Sequence, residues 1–291
     1  MAKARKIVKR RKAVQNIRKI TQTMQLIATA RFQKCLQRAT ASKPYTENIT
    51  AMIETLSGLE SVDHPLLKPN EDAKHSILLV ITSNRGLCGA YNATVLRLAA
   101  EHKAKLTGTG ITPSIEMVGK KGVTYMRFLG VALAQTITDV EDRIAFSRVA
   151  EMAQRYMAAY EAGELARVDV AYTRFHSVGV QRATVAQLLP IEPPRTDDEQ
   201  QRPGSRPDFE FSPPAEALLK HLIPQTVKVR LFQYFNDAIL SEQVARMVAM
   251  KAATDAAGDM IKHLTRRYNR ARQTQITLEL ADIVGGSEAV K

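Results

Sequence analysis

Two short glycine segments carry the residue types that could bind a phosphate. Gly86-Leu87-Cys88-Gly89 follows an apolar, β-branched run and precedes a helical pattern. That is the setting in which a turn can aim backbone N–H groups at an anion. A nucleotide phosphate loop needs GxxxxGK(S/T) and a dinucleotide turn needs GxGxxG; neither occurs here or at Gly108 and Gly110. The segment therefore reads as a tight strand-to-helix turn. Gly119-Lys120-Lys121-Gly122 lacks the same spacing and reads as a basic helix start. No nucleophile elbow, HExxH helix or carboxylate pair of fixed placement is found. The six histidines (His64, His75, His102, His176, His221 and His263) lack the short spacings that converge on a metal. Cys35 and Cys88 stand far apart and outside any CxxC pair, as reduced structural thiols would. The expectation is a chain that is not itself an enzyme, with no catalytic residue, no cofactor and no metal.

Charge points elsewhere. Of the formal net charge of +13, all belongs to the segment before the first acid, Glu47, which holds thirteen basic residues from Lys3 to Lys43; the remainder is neutral. Such a run fits phosphates of nucleic acid, anionic lipid, or an acidic protein surface. A basic, helical nucleic-acid-binding protein is thus one reading, although Phe32 is the single aromatic before Tyr45 and stacking on bases is poorly served. No run of about 18 apolar residues could span a bilayer. The start MAKARKIVKR has neither the apolar stretch nor the cleavage site of a secretory signal, so the expected location is cytoplasmic. The helical pattern begins almost at Met1, leaving no room for a transit peptide, which favours a bacterial source.

The elements that would position these residues fall into three blocks. No glycine occurs from Ala2 to Ser57, and Ile7, Val14, Ile17, Thr21, Met24 and Ala28 recur at three-four spacing. This predicts one long helix with a narrow apolar seam, bent where Pro44 removes an N–H. At 1.5 Å per residue it would be a rod of roughly 80 Å. A second long helical region starts at Pro214, is interrupted near Pro224 and stops at Gly285-Gly286. Its stripe comprises Leu240, Val244, Met247 or Val248, Met260, Leu264, Tyr268 and Ala271, and small residues, Ala253 and Ala256 among them, permit close helix approach. Two terminal helices with such seams pair most economically as an antiparallel coiled coil. Between them, short β-branched runs at residues 76–83, 114–118, 131–137, 167–174 and 184–189 alternate at first with helical stretches at 90–106, 120–129 and 145–162. This predicts an α/β domain on a mostly parallel, Rossmann-like sheet. The expected division is residues 1–57 and 214–286 for the coiled coil, 74–192 for the central domain and 193–213 for an exposed loop rich in proline, acid and glutamine.

Three stretches as they stand here, residues 9–24 (KRRKAVQNIRKITQTM), 83–89 (SNRGLCG) and 241–286 (SEQVARMVAMKAATDAAGDMI…YNRARQTQITLELADIVGG), resemble the gamma subunits of F-type ATP synthases. The resemblance covers nearly the whole chain apart from the stretch Arg195 to Phe211. It implies a central rotor shaft, peripheral on the inner face of the bacterial plasma membrane, that couples ion-driven ring rotation to ATP chemistry on other subunits. The implied partners are the alpha and beta subunits of the catalytic hexamer, the epsilon subunit and the membrane c-ring, with no nucleic acid. By position in the matching motifs, Lys9 and Arg10 of the basic run would meet the acidic lever segments of the beta subunits, with Met24 near that contact. Arg246 would face the hexamer, and Arg272, Gln273, Thr277 and Glu279 would touch beta subunits from the last helix.

Overall fold

The computed structural model describes the backbone of residues 2–57, 64–191 and 215–288, and side chains within 5–40, 64–191 and 218–287. The loop expected at 193–213 lies outside the described residues. In chain order the elements are α1 (Ala2–Ser57), a 3-10 turn at Pro65–Leu67, β1 (His75–Ile81), α2 (Tyr91–Gly108), β2 (Thr112–Val118), α3 (Lys120–Phe128), β3 (Gln135–Ile137), α4 (Phe146–Glu161), β4 (Leu165–Phe175), β5 (Gln181–Leu189) and α5 (Ala215–Glu288). The chain divides into two compact units, one of residues Met1–Ala30 with Arg246–Lys291, the other of Arg31–Ala245.

The larger unit holds a five-stranded sheet in the order β3-β2-β1-β4-β5. Strands β1 to β4 run parallel, joined by helical crossovers, and β5 returns antiparallel from β4 through a connection too short for a crossover. Alternate residues of each strand feed opposite faces. Leu78 and Val80 of β1 join Ile115 and Met117 of β2 under Val95, Leu96 and Ala99 of α2 and Met126 of α3. Leu79 and Ile81 join Val118, Val168, Val170 and Tyr172 on the other face. That face is covered by α4 (Val149, Met152, Ala153, Tyr156) and by the first part of α5 (Ile223, Val227, Leu231, Phe235). The sheet is therefore doubly wound, as the β-branched runs imply, with part of a terminal helix serving as one cover.

The two carboxylates caught inside this sandwich are paired, whereas Ser76 Oγ, Gln135 Oε1 and Thr173 Oγ1 are buried without a hydrogen-bond partner among the described residues. Glu116 on β2 accepts from the Tyr156 hydroxyl at 2.6 Å and from Arg155 at 2.7 Å. Asp169 on β4, wholly buried, accepts two bonds from Arg167 at 2.7 Å and faces His102 Nε2 at 2.9 Å. Cys35 and Cys88 are free and buried, and burial pushes the Cys35 thiol above its ordinary value.

In the smaller unit the two chain ends pack as an antiparallel pair. Val14 meets Ala257 and Leu264 with Ile7 and Ile261 alongside; the Thr21 and Thr254 hydroxyls meet at 2.8 Å; Arg11 lies over the Tyr268 ring at 5.5 Å. Rising numbers on one helix thus meet falling numbers on the other. On α1 the buried positions Val14, Thr21 and Ala28 repeat every seven residues, the mark of a coiled-coil seam. Ile17, expected in that seam, is 52% exposed. On α5 the inward positions are Thr254, Ala257, Ile261 and Leu264, while Val248 and Met260 point outward. Of the expected contact residues, Ala253 is half-buried, and Ala256 is corrected by one position: it is exposed while Ala257 is buried. In a run of alanines no side chain marks the inward face, so the neighbours Thr254 and Leu264 decide it.

Neither proline ends a helix. The helical backbone continues through Pro44 and Pro224. The expected stop at Gly285-Gly286 is also absent, because α5 runs on to Glu288. Helices this long draw their stability from packing and neighbouring turns, so a single missing N–H, or glycine near the end, does not interrupt them.

Where α5 covers the sheet, Tyr172 stacks on Tyr234 with centroids 4.7 Å apart. Burial pushes the nearby Asp237 carboxyl from 3.8 to about 6, against the opposing pull of Arg174. The native state thus holds this proton more tightly than the unfolded chain does. Its contribution to stability is present below the unfolded value and is lost as pH rises through the folded one. At neutral pH the ionised carboxylate costs about 2–3 kcal/mol. Asp237→Asn is expected to stabilise the protein by about 1–3 kcal/mol at pH 7.5 and to change little at pH 4; urea denaturation at both pH values checks this, and an equal effect at both contradicts it. For the seam, Ala257→Phe should cost about 1–3 kcal/mol by overpacking, whereas Ala256→Phe should stay within about 0.5 kcal/mol. Amide exchange across residues 250–264 compares the two, and the reverse ranking would move the seam back to Ala256.

Candidate partner-contact surface

The residues that could do chemistry are occupied with local structure. After β1, Ser83 N–H donates to Asn92 Oδ1 at 2.9 Å and Ser83 Oγ donates to the Arg85 carbonyl at 2.7 Å. Asn92 Nδ2 donates to Ser83 Oγ at 2.8 Å. Leu87 sits at φ 64°, a left-handed conformation held by this closure. The Gly86 segment is a strand-to-helix turn, placed where the strand order reverses between β1 and β4. Ligands of doubly wound folds bind at such a switch point, yet here Ser83 and Asn92 bond to each other and Lys121 stands against Gly86. At Gly119, φ is 94° and a Cβ would meet the Thr82 carbonyl oxygen, so that glycine serves the close approach of β1 to the start of α3. No group of histidine, cysteine or carboxylate side chains that could hold a metal ion occurs among the described residues.

The surface of the smaller unit is of another kind. Lys6, Lys9, Arg10 and Lys12 are all exposed, and among the described residues none of these four has an ion-pair partner in the chain. Seven-residue spacing places Ile7 and Val14 inward and turns this basic series outward. Exposed apolar side chains share the unit's surface: Ile17, Ile20, Leu26 and Ile27 on α1, and Ile276, Leu278, Leu280 and Ile283 on α5. Apolar surface interleaved with unpaired positive charge suits a partner of complementary character.

Of the residues singled out from sequence, Lys9, Arg272 and Glu279 come together. They line a groove of about 480 Å³ between the two helices with Arg5, Val8, Tyr268, Gln275 and Ile276. Gln275 Nε2 donates to Glu279 Oε1 at 2.9 Å along one edge. Tyr268 was expected in the stripe of the last helix, whereas Val8 and Ile276 escaped the sequence reading because a groove floor depends on which rows of two helices face each other. Arg10, Gln273 and Thr277 are exposed outside the groove, with Thr277 Oγ1 bonded back to the Gln273 carbonyl at 3.0 Å. Met24 is half-buried beside the seam residues Thr21 and Ala28. Arg246 is 7% exposed, so in this chain its guanidinium is packed inside rather than displayed. No described helix is long and apolar enough to cross a membrane.

Comparison with known proteins joins these observations. The model of the family described as ATP synthase matches residues 3–290. An ATP synthase gamma chain of Rhodopirellula baltica is 45% identical over 296 residues, covering all of both chains. One of Leptospira biflexa is 34% identical over 291 residues, again covering all of both. Among solved structures, a chain of the Euglena gracilis mitochondrial ATP synthase (OSCP/F1/c-ring, rotational state 3) shares the fold. Its TM-score is 0.69 at 17% identity, over 99% of this chain and 95% of that one. The rotor of the same enzyme in rotational state 1 gives a TM-score of 0.67 at 18% identity, over 94% and 99%. The nucleic-acid reading of the basic segment finds no support in any of these. Matched from end to end by the family model and by gamma chains of its own length, the chain belongs to the ATP synthase family.

Proposed function

We propose that this chain works as the central shaft of an F-type ATP synthase, transmitting rotation between an ion-driven membrane ring and a catalytic hexamer without catalysing a reaction itself. The observation that carries this reading is the antiparallel winding of the two chain ends, with an apolar seam inside and unpaired positive charge outside. A pair of helices so built resists twisting through its packed seam, and its outer face is left for a surrounding partner. Chemistry belongs to other subunits, a division supported by the glycine turn at Gly86, whose polar groups are spent on its own closure.

In this reading Lys9 and Arg10 meet acidic lever segments of the beta subunits, with Met24 near that contact. Arg272, Gln273, Thr277 and Glu279 meet beta subunits from α5. The groove that joins Lys9, Arg272 and Glu279 supports the grouping. Arg246, buried in this chain, would reach the hexamer by a change of side-chain conformation. The domain at 74–192 would sit on the c-ring beside the epsilon subunit, with 1–57 and 214–286 as the shaft. The complex, and through it this chain, lies on the inner face of the bacterial plasma membrane, a placement supported by the bacterial source of its full-length relatives.

The decisive experiment is co-purification from native membranes followed by observation of rotation. The chain should emerge with alpha and beta subunits, and a rod fixed to it should turn when the immobilised hexamer hydrolyses ATP. A chain recovered without those subunits, or one that stays still during hydrolysis, defeats the reading. Reversing Lys9, Arg10 and Lys12 together to glutamate should slow association with the alpha-beta hexamer by about tenfold or more at low ionic strength. The difference should shrink as salt is raised to about 1 M, where screening acts within about 3 Å. Association kinetics across a salt series test this, and a rate equal to that of the native chain at low salt opposes it.

A further inference from the structure

The chain passes between its two compact units twice, between Ala30 and Arg31 and between Ala245 and Arg246. Covalent continuity at two crossings does not by itself resist twisting, because each helix could pivot on its own root. What resists is the attachment of the roots to the α/β domain. For α1, Phe32 packs against Phe175 at 6.4 Å between ring centroids. For α5, Ser241 Oγ donates to the Thr173 carbonyl at 3.1 Å and Tyr91 OH to the Ala238 carbonyl at 3.0 Å.

One carboxylate touches both roots. Asp142, in the loop between β3 and α4, accepts from Arg31 Nη1 at 2.6 Å through Oδ2 and at 2.9 Å through Oδ1. Oδ1 also accepts from Gln243 Nε2 at 3.1 Å. Arg31 opens the larger unit and Gln243 lies just before its last residue, Ala245. The Asp142 backbone joins in, its carbonyl lying 3.7 Å from Cys35 Sγ. The loop that presents this carboxylate is itself tied to the sheet. Asn84, in the SNRGLCG stretch after β1, donates through Nδ2 to the carbonyls of Thr138 and Val140, while its Oδ1 accepts from Lys120 N–H at 2.9 Å. A continuous line of contacts runs from the end of β1 through Asn84 to the loop, and from Asp142 to both helices.

We propose that Asp142 is a positioning residue for rotary coupling. It fastens the roots of α1 and α5 to the α/β domain so that they turn as one body, with Asn84 holding its loop in place. The proposal rests on the shaft reading above. The charged pair is partly exposed, with side-chain exposures of 32% and 38%, so its effect is on stiffness rather than on whether the chain folds. Asn84 gives the SNRGLCG stretch a mechanical use where its glycines suggested a phosphate.

The test uses the assembled ATP synthase, with a gold rod fixed to the turn between β4 and β5 and the hexamer immobilised. Torsional stiffness is read from the rod's thermal angular fluctuations, and coupling from ions pumped per ATP hydrolysed. Asp142→Ala should lower both by about twofold, the change that a partly exposed charged pair can impose on an equilibrium. ATP hydrolysis by the soluble hexamer should be unaffected. Asn84→Ala, which touches neither helix, should change both in the same direction, and the exchanged pair R31D with D142R should restore them. Unchanged stiffness in Asp142→Ala, or loss that the exchanged pair does not restore, overturns the proposal. If Asp142→Ala does not assemble, Asp142→Asn takes its place. Failure of both to assemble also overturns it, since the carboxylate would then be a folding requirement. A native rod that does not turn under ATP defeats the shaft reading instead, which keeps the two failures apart.

Discussion

Isolated helices are marginal in water, and a long one persists where its apolar stripe is covered. That constraint organises this molecule, because α1 and α5 run through 56 and 74 residues and each must find cover of more than one kind. α5 solves it by changing partners. Ile223, Val227, Leu231 and Phe235, spaced four apart, close one face of the sheet. Further on, Ala257, Ile261 and Leu264 face α1. The same helix thus supplies apolar residues to the core of the α/β domain and to the coiled coil.

The second organising feature is the treatment of polar groups. In the sheet, Glu116 and Asp169 are buried carboxylates whose oxygens are met by arginine and by a tyrosine or histidine. Removing one partner of such a group leaves an uncompensated buried charge, which is costly, whereas the complete set adds little net stability and constrains geometry. In the coiled coil the Thr21–Thr254 contact does the same on a smaller scale. Each hydroxyl also bonds to a carbonyl of its own helix, Thr21 to Arg18 and Thr254 to Met250, so their contact marks one register without either depending on it for a partner. The consequence within each unit is a defined geometry of packing.

Outside these packed regions the surface is apolar and positive by turns. Paired with acids within the chain, the basic run of α1 would be self-sufficient. Its described members near the start lack such partners, and their mutual repulsion is relieved by an acidic neighbour. The same physics accounts for the exposed isoleucines and leucines of both helices, which a solvated monomer would leave in water. The surface reads as one half of an interface.

Much of this was determined by local sequence alone. A glycine-free stretch with Ile7, Val14, Thr21 and Ala28 seven apart makes a helix with one seam whatever surrounds it. The β-branched runs separated by helical patterns specify parallel crossovers, because a right-handed connection of that length packs back on the sheet only one way. Other features were beyond the reach of local pattern. The choice of Ala257 over Ala256 depends on which helix face α1 covers, and the adjacent pairs Ala252-Ala253 and Ala256-Ala257 carry no phase of their own. Arg246 is buried and Met24 half-buried, which no local spacing specifies. The expected stop at Gly285 failed because a glycine's preference, about 1 kcal/mol, is weaker than the continuity of a long helix behind it. Most distant of all is Asp142, whose partners Arg31 and Gln243 stand 111 and 101 residues away in sequence. No spacing rule joins three such residues; the sheet order, by bringing one loop beside the roots of both terminal helices, does.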